Sequence, residues 1–222
     1  RSKVSKEEID DVIIGAAGQQ GSQQGNIARQ SLLRAGLPVS VAGMSLDRQC
    51  ASGMMAIATA AKEITEDGMT ITVGGGVESV SLVRNENFRM DRARDPWLEE
   101  NIPSLYMTMI ETAENVAKRY GISRESQDEY SLQSQRRTAN AQKNGFMDKE
   151  IVPLKSTMKY KDNETGEISS HDVCIEKDEG NRPSTTFEGL SALKPVFKDG
   201  IYLKEGEYIT AGNASQLSDG AS

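Results

Sequence analysis

The sequence predicts an α/β fold in which a parallel-sheet core is followed by an α+β excursion. Three observations carry that expectation. Residues 45–65, SLDRQCASGMMAIATAAKEIT, pass from an extended run ending on Cys50 to apolar positions at Met54, Ile57, Ala58, Ala61 and Ile64, the spacing of one helix face. Residues 69–73, MTITV, are β-branched and run into Gly74, Gly75 and Gly76. From about residue 84 the composition turns charged and irregular, then helical, then weakly alternating. The order strand, helix, strand, glycine implies a right-handed βαβ unit, whose ligands sit beyond the carboxyl ends of the strands.

Taken in order, DVIIG at 11–15 is a short apolar run of buried-strand type. The loop after it holds Gly15, Gly18 and Gly21, but no Walker lysine or dinucleotide glycine pattern accompanies them, so it reads as a plain connection. Asn26 caps an expected helix 27–35 that closes at Gly36 before Pro38. Residues 40–47 read as a strand leading into the Cys50 helix, which stops near Gly68. The segment from 84, with the sole tryptophan Trp97, leaves the core. Helices are expected at 111–120, ended by Gly121, and at 124–144, capped by Ser123 and closed by Gly145. The charged residues of the second read as a solvated face. Residues 151–181 suggest small hairpins, turning at Asp162, Asn163 and Gly166, with His171 at the surface and Cys174 half-buried.

Composition excludes several classes of function. The 222 residues carry a net charge of −7, with a pI near 5.0, 36% hydrophobic residues and a mean hydropathy of −0.54. That balance, without a basic stripe interleaved with aromatics, argues against a nucleic-acid partner. No apolar run reaches membrane-span length, and RSKVSKEEIDD lacks a signal-peptide core. The cysteines, Cys50 and Cys174, lie in unlike contexts, so no disulfide is inferred, and no CxxC or histidine-rich spacing suggests a metal. A reducing, cytoplasmic compartment is expected.

Cys50 is the candidate nucleophile. At a helix start the unpaired N–H groups and the macrodipole favour a thiolate, and such sites lower a cysteine pKa from about 8.5 to about 3.5–7.5. Ala51, Ser52 and Gly53 leave room for a substrate at the sulfur. The competing reading is an inert, buried cysteine, which is common.

SLDRQCASGMMAI with GGGVESVS, then NRPSTTFEGLSALKPVF, then ITAGNASQLSDGAS resemble the thiolases in order and rough spacing, and ETAENVAKRYG with the helix after it matches too. The resemblance covers essentially the whole chain. It implies a thiolase-like layered α/β fold: residues 1–83 as a βαβ core half lacking its first strand, 84–207 as a loop domain shaping the coenzyme A site, and 208–222 returning to the core.

In function it implies an acyltransferase that cleaves 3-ketoacyl-CoA with CoA in fatty acid β-oxidation, through an acyl-thioester on Cys50. It places Arg182 near the nucleotide end of CoA, Phe197, Ala211 and Ser215 along the pantetheine channel, and Met109 at the mouth of the acyl site. At Gly189 some relatives carry a CoA-contacting serine. Taken as residues alone, Arg182 can stack on adenine or pair with phosphate and Phe197 offers apolar area, while a rim cation and a core aromatic are the plain alternatives. CoA is expected as a substrate, with no permanently bound cofactor. Expected partners are a second copy, as homodimer or homotetramer, and a β-oxidation subunit. The family's GHP-type histidine, second cysteine and NEA-type asparagine have no match here, so the sequence reads as an internal fragment. The alternatives are a biosynthetic acetoacetyl-CoA thiolase, in which a His-Met pair tends to stand where this chain has Thr108 and Met109, and a non-catalytic acyl-CoA carrier, against which retention of Cys50 argues.

Overall fold

A computed structural model describes residues 2–222. The chain forms two compact units, one comprising the residues up to Ala93 with Leu217–Ser222, the other Arg94–Gln216. These boundaries fall later than the sequence expectation of 83/84 and 207/208. The side chain of Gln20 pairs with the backbone of Arg89 in both directions and keeps the 80s with the first unit. The second unit keeps 208–216 through buried carboxylates described below.

The first unit is a mixed sheet in the order β2-β1-β3-β6. β1 (Asp11–Gly15) lies parallel between β2 (Ala42–Leu46) and β3 (Thr72–Glu78), and the short β6 (Gly220–Ala221) pairs antiparallel to β3. α1 (Ile27–Arg34) joins β1 to β2. Its cap Asn26 accepts from Arg29 N at 3.1 Å and donates to Gly43 O at 2.7 Å, fastening the helix start to β2.

The strand expected at 69–73 is displaced: β3 begins at Thr72 and contains the glycines themselves, with Gly74 opposite Ile13 and Gly76 opposite Gly15. Close helix packing explains it. A Cβ on Gly74 would stand 2.8 Å from Ile57 Cα, and one on Gly15 only 2.2 Å from the carbonyl carbon of Ser52, so α2 (Ser52–Thr65) presses its backbone onto the sheet.

That contact also overturns the expected helix face. The buried residues of α2 are Ser52, Ala56, Ala60 and Glu63, with Ala56 and Ala60 clustered on Ile13, whereas Met54, Ile57 and Ile64 are exposed. Against Gly74 the close approach of the two backbones leaves room only for the small Ala56 and Ala60. α3 (Val80–Val83) follows β3.

The second unit opens with α4 (Pro96–Asn101), a helix inside the stretch expected to be irregular, on which Trp97 is exposed. α5 (Met109–Tyr120) starts two residues before the expected 111, because the Thr108 side chain caps it by accepting from Glu111 N. α6 (Arg124–Lys143) is capped by Ser123 as its sequence indicates. β4 (Leu154–Lys161) and β5 (Ile168–Ile175) form the hairpin expected at 151–181, with Asp162 Oδ1 accepting from Glu164 and Thr165 N in the turn. His171 is exposed there, its Nε2 3.1 Å from Ser169 Oγ, and Cys174 is exposed rather than half-buried, like every residue of β5 but Val173. α7 (Phe187–Ser191) packs against α6.

Candidate functional site

The segment of the candidate nucleophile lies past the carboxyl ends of β1 and β2, in the first unit. After Leu46 the chain turns through residues 47–51 before α2 begins, so Cys50 stands two positions ahead of the first helical residue. The turn is built from polar contacts. Asp47 Oδ1 accepts from Gln49 N at 2.7 Å, and the buried Ser52 hydroxyl donates to Gln49 O at 2.6 Å while accepting from Arg48 N at 2.8 Å. These hold Gln49 at φ 51°, a left-handed conformation that side chains other than glycine rarely adopt. The strained residue precedes Cys50, whose side chain is exposed. Cys50 is therefore not the buried cysteine of the competing reading.

Beside this turn, Glu78 at the end of β3 organises the Gly-rich loop after β1. Its carboxylate accepts from Ala17 N at 2.8 Å, Gly18 N at 3.2 Å and Gln23 Nε2 at 2.8 Å. Buried Gln23 also accepts from Ser79 N, so loop and strand end are mutually fixed.

The second unit carries a separate cleft of about 590 Å³. Its lining includes Arg182, Gly189, Ala211 and Ser215, residues far apart in sequence. α6 supplies Tyr130, Ser134 and Gln135 to the same cleft. Gln135 Oε1 accepts from Arg182 N at 2.8 Å and from Asn181 Nδ2 at 2.8 Å, and Gln216 Nε2 donates to Gly180 O at 2.5 Å, so the Arg182 segment is tied to both neighbours.

Phe197 and Met109 are not part of that lining. Phe197 is buried, and its ring occupies the space a Cβ on Gly200 would need, so it is the core aromatic of the plain alternative. Met109 is the first residue of α5 and is 70% exposed.

Sequence reasoning passed over the carboxylates that support this unit. Glu111 and Glu114, one turn apart on α5, are both 1% exposed. Glu111 accepts from Ile201, Tyr202 and Leu203 N, and Glu114 from Glu207, Tyr208 and Ile209 N. Burial by itself pushes the Glu111 carboxyl up. The backbone donors and the charge of Lys204 outweigh it and hold the group below the usual carboxylate range. The signal was present in ETAEN, but an i, i+3 acidic pair reads as a solvated face until loops are seen to close over it.

Comparison with known proteins decides the lineage. The family model described as the thiolase N-terminal domain matches residues 1–222. The chain belongs to the thiolase family. Among similar proteins, a β-ketoadipyl-CoA thiolase of Pseudomonas putida is 40% identical over 98% of this chain and 54% of its own length. A 3-ketoacyl-CoA thiolase of Bacillus subtilis is 40% identical over 96% and 52%, and the mouse peroxisomal 3-ketoacyl-CoA thiolase B is 38% identical over 99% and 49%. The crystal structure of the Bacillus anthracis acetyl-CoA acetyltransferase superposes with a TM-score of 0.75 at 34% identity, over 99% of this chain and 53% of that one, which shows the thiolase-like α/β fold. This thiolase chain thus spans about half the length of the curated relatives it matches. Among the described residues, no helix is long and apolar enough to cross a membrane.

Proposed function

We propose that the full-length protein is a thiolase that cleaves a 3-oxoacyl-CoA with CoA, using Cys50 as nucleophile and the Arg182–Ser215 cleft to hold the CoA arm. The observation that carries this reading is Cys50 itself, exposed on a turn fixed by Asp47 and Ser52 within a chain matched throughout by the thiolase family model.

The Cys50 thiolate adds to the 3-oxo carbonyl, and the C2–C3 bond then breaks with its electron pair passing to C2. The departing enolate takes a proton and leaves as acetyl-CoA, while the shortened acyl group remains on sulfur. A CoA thiolate attacks that thioester, and Cys50 departs as a thiolate. Backbone N–H donors at the start of α2 suit the developing oxyanion, and removing one such donor in comparable sites costs about 3–4 kcal/mol. This reading gives His171, exposed on a hairpin beside Ser169, no part in the chemistry.

In the cleft, the Arg182 guanidinium suits the phosphates or adenine of the nucleotide, and Ala211 and Ser215 suit the pantetheine arm. Phe197 would act from beneath, as packing under the 197–209 segment. The degradative direction is favoured by relatives named 3-ketoacyl-CoA and β-ketoadipyl-CoA thiolases, and by Thr108 serving as a helix cap where a biosynthetic enzyme tends to carry histidine. The likeness to an acetyl-CoA acetyltransferase supports the biosynthetic alternative. Thiolysis rates across short, long and ω-carboxylated 3-oxoacyl-CoAs separate these substrates, and faster condensation of acetyl-CoA than thiolysis of every one of them would reverse the proposed direction.

A further inference from the structure

One buried carboxylate stands between the walls of the cleft. Asp128, on α6, is 1% exposed. Arg124 Nε donates to both of its oxygens, at 3.0 and 2.9 Å, and Asn213 Nδ2 donates to Oδ1 at 3.1 Å. Each partner passes the constraint to a different wall. Arg124 Nη2 donates to Leu190 O at 2.6 Å, fixing the end of α7 beside Gly189. Asn213 donates to Tyr208 O at 2.9 Å and accepts from Thr210 N at 2.8 Å, while Thr210 Oγ1 accepts from Gly212 N at 3.2 Å. That knot sets the path of Ala211–Ser215.

Within the loop Ala214 N donates to Thr210 O at 3.1 Å, while the side chains of Ala211, Ala214 and Ser215 are small, so the Asn213 bonds are its side-chain link to α6. A Cβ on Gly212 would stand 2.5 Å from Leu190 Cδ2, so the two walls are in contact as well as bonded to one carboxylate. Centred on a buried carboxylate that accepts three hydrogen bonds, such a network fixes one arrangement of the groups it joins.

We propose that Asp128 is the positioning residue of the cleft: through Arg124 and Asn213 it sets the spacing of the Gly189 and Ala211–Ser215 walls, and so governs affinity for the CoA arm without touching it. This rests on the cleft being the CoA site, and the experiment separates the two ideas. In the full-length protein, KM for CoA and kcat for thiolysis are measured for Arg182→Ala, Ser215→Ala, Asp128→Asn and the Asp128→Asn/Ser215→Ala double variant.

Asp128→Asn is expected to raise KM for CoA about tenfold, the effect of one lost charge-assisted contact, with kcat within about twofold of the parent. Ser215→Ala is expected to add almost nothing once Asp128 is replaced, because the serine is already out of place. Additive effects, or a fall in kcat with KM unchanged, would overturn the positioning role. If Arg182→Ala and Ser215→Ala leave KM for CoA unaltered, the CoA reading of the cleft falls first and takes this proposal with it. Should Asp128→Asn fail to fold, Arg124→Lys, outside the cleft lining and without the fork that joins Asp128 to Leu190 O, takes its place beside Ser215→Ala: a raised KM that the serine change does not increase further supports the positioning role, and additive effects overturn it.

Discussion

The Glu111 carboxylate accepts the backbone N–H of Tyr202 at 2.6 Å, across ninety-one residues of sequence. With Ile201 and Leu203 N on the same group, it replaces water for a loop that has no strand partner there. Glu111→Gln keeps the shape but turns an acceptor into a donor facing N–H groups, so it is expected to destabilise the second unit by about 2 kcal/mol. Chemical denaturation of parent and variant measures this.

The same group sets an acid limit. Its folded-state pKa is depressed, so its stabilisation is present above the ordinary glutamate value and is lost as pH falls through the folded one. The parent is expected to lose stability in that acid window, and Glu111→Gln to show a shallower decline. Thermal unfolding followed from neutral to acid pH would contradict this if the two curves stayed parallel.

Gly15 and Gly74 admit α2 to the sheet, and any side chain there strikes backbone. Gly74→Ala is expected to cost about 1–3 kcal/mol by overpacking. Gly15→Ala is expected to cost at least as much and to displace the Cys50 turn, since the clash is with Ser52 itself. Unfolding midpoints, together with the rate of Cys50 alkylation, report both effects.

Ser52 locks the turn that presents Cys50. Ser52→Ala removes both bonds and should let Gln49 relax from its left-handed conformation, at a cost of about 1 kcal/mol in stability. Acyl transfer is expected to fall further than that loss implies, and Ser52→Thr, which keeps the hydroxyl, to recover part of it. Pre-steady-state acylation rates compare the three proteins.

His171 provides the opposite check. Exposed on the β4–β5 hairpin with Ser169 as its neighbour, it can be replaced by alanine with turnover kept within about twofold, as for a surface substitution. Steady-state thiolysis tests this directly.

The strand–helix–strand order, the caps at Asn26 and Ser123 and the turn at Asp162 were legible in the sequence because each is set by local chemistry. What escaped it depends on distant partners. Met54 and Ile57 have helical spacing, yet the sheet beneath is paved with glycine and takes Ala56 and Ala60 instead. Glu111, Glu114 and Asp128 look solvated until segments about ninety residues away fold over them. Arg182, Ala211 and Ser215 do meet in one cleft, whereas Phe197 went to the core beneath its own loop.

That the Cys50 sulfur carries the acyl group is tested most directly by quenching the full-length protein during turnover of a 3-oxoacyl-CoA and mapping the adduct by peptide mass spectrometry. The acyl mass is expected on the tryptic peptide spanning residues 49–62, and is expected to disappear in Cys50→Ala. An adduct on another residue, or one that persists in Cys50→Ala, would contradict the assignment.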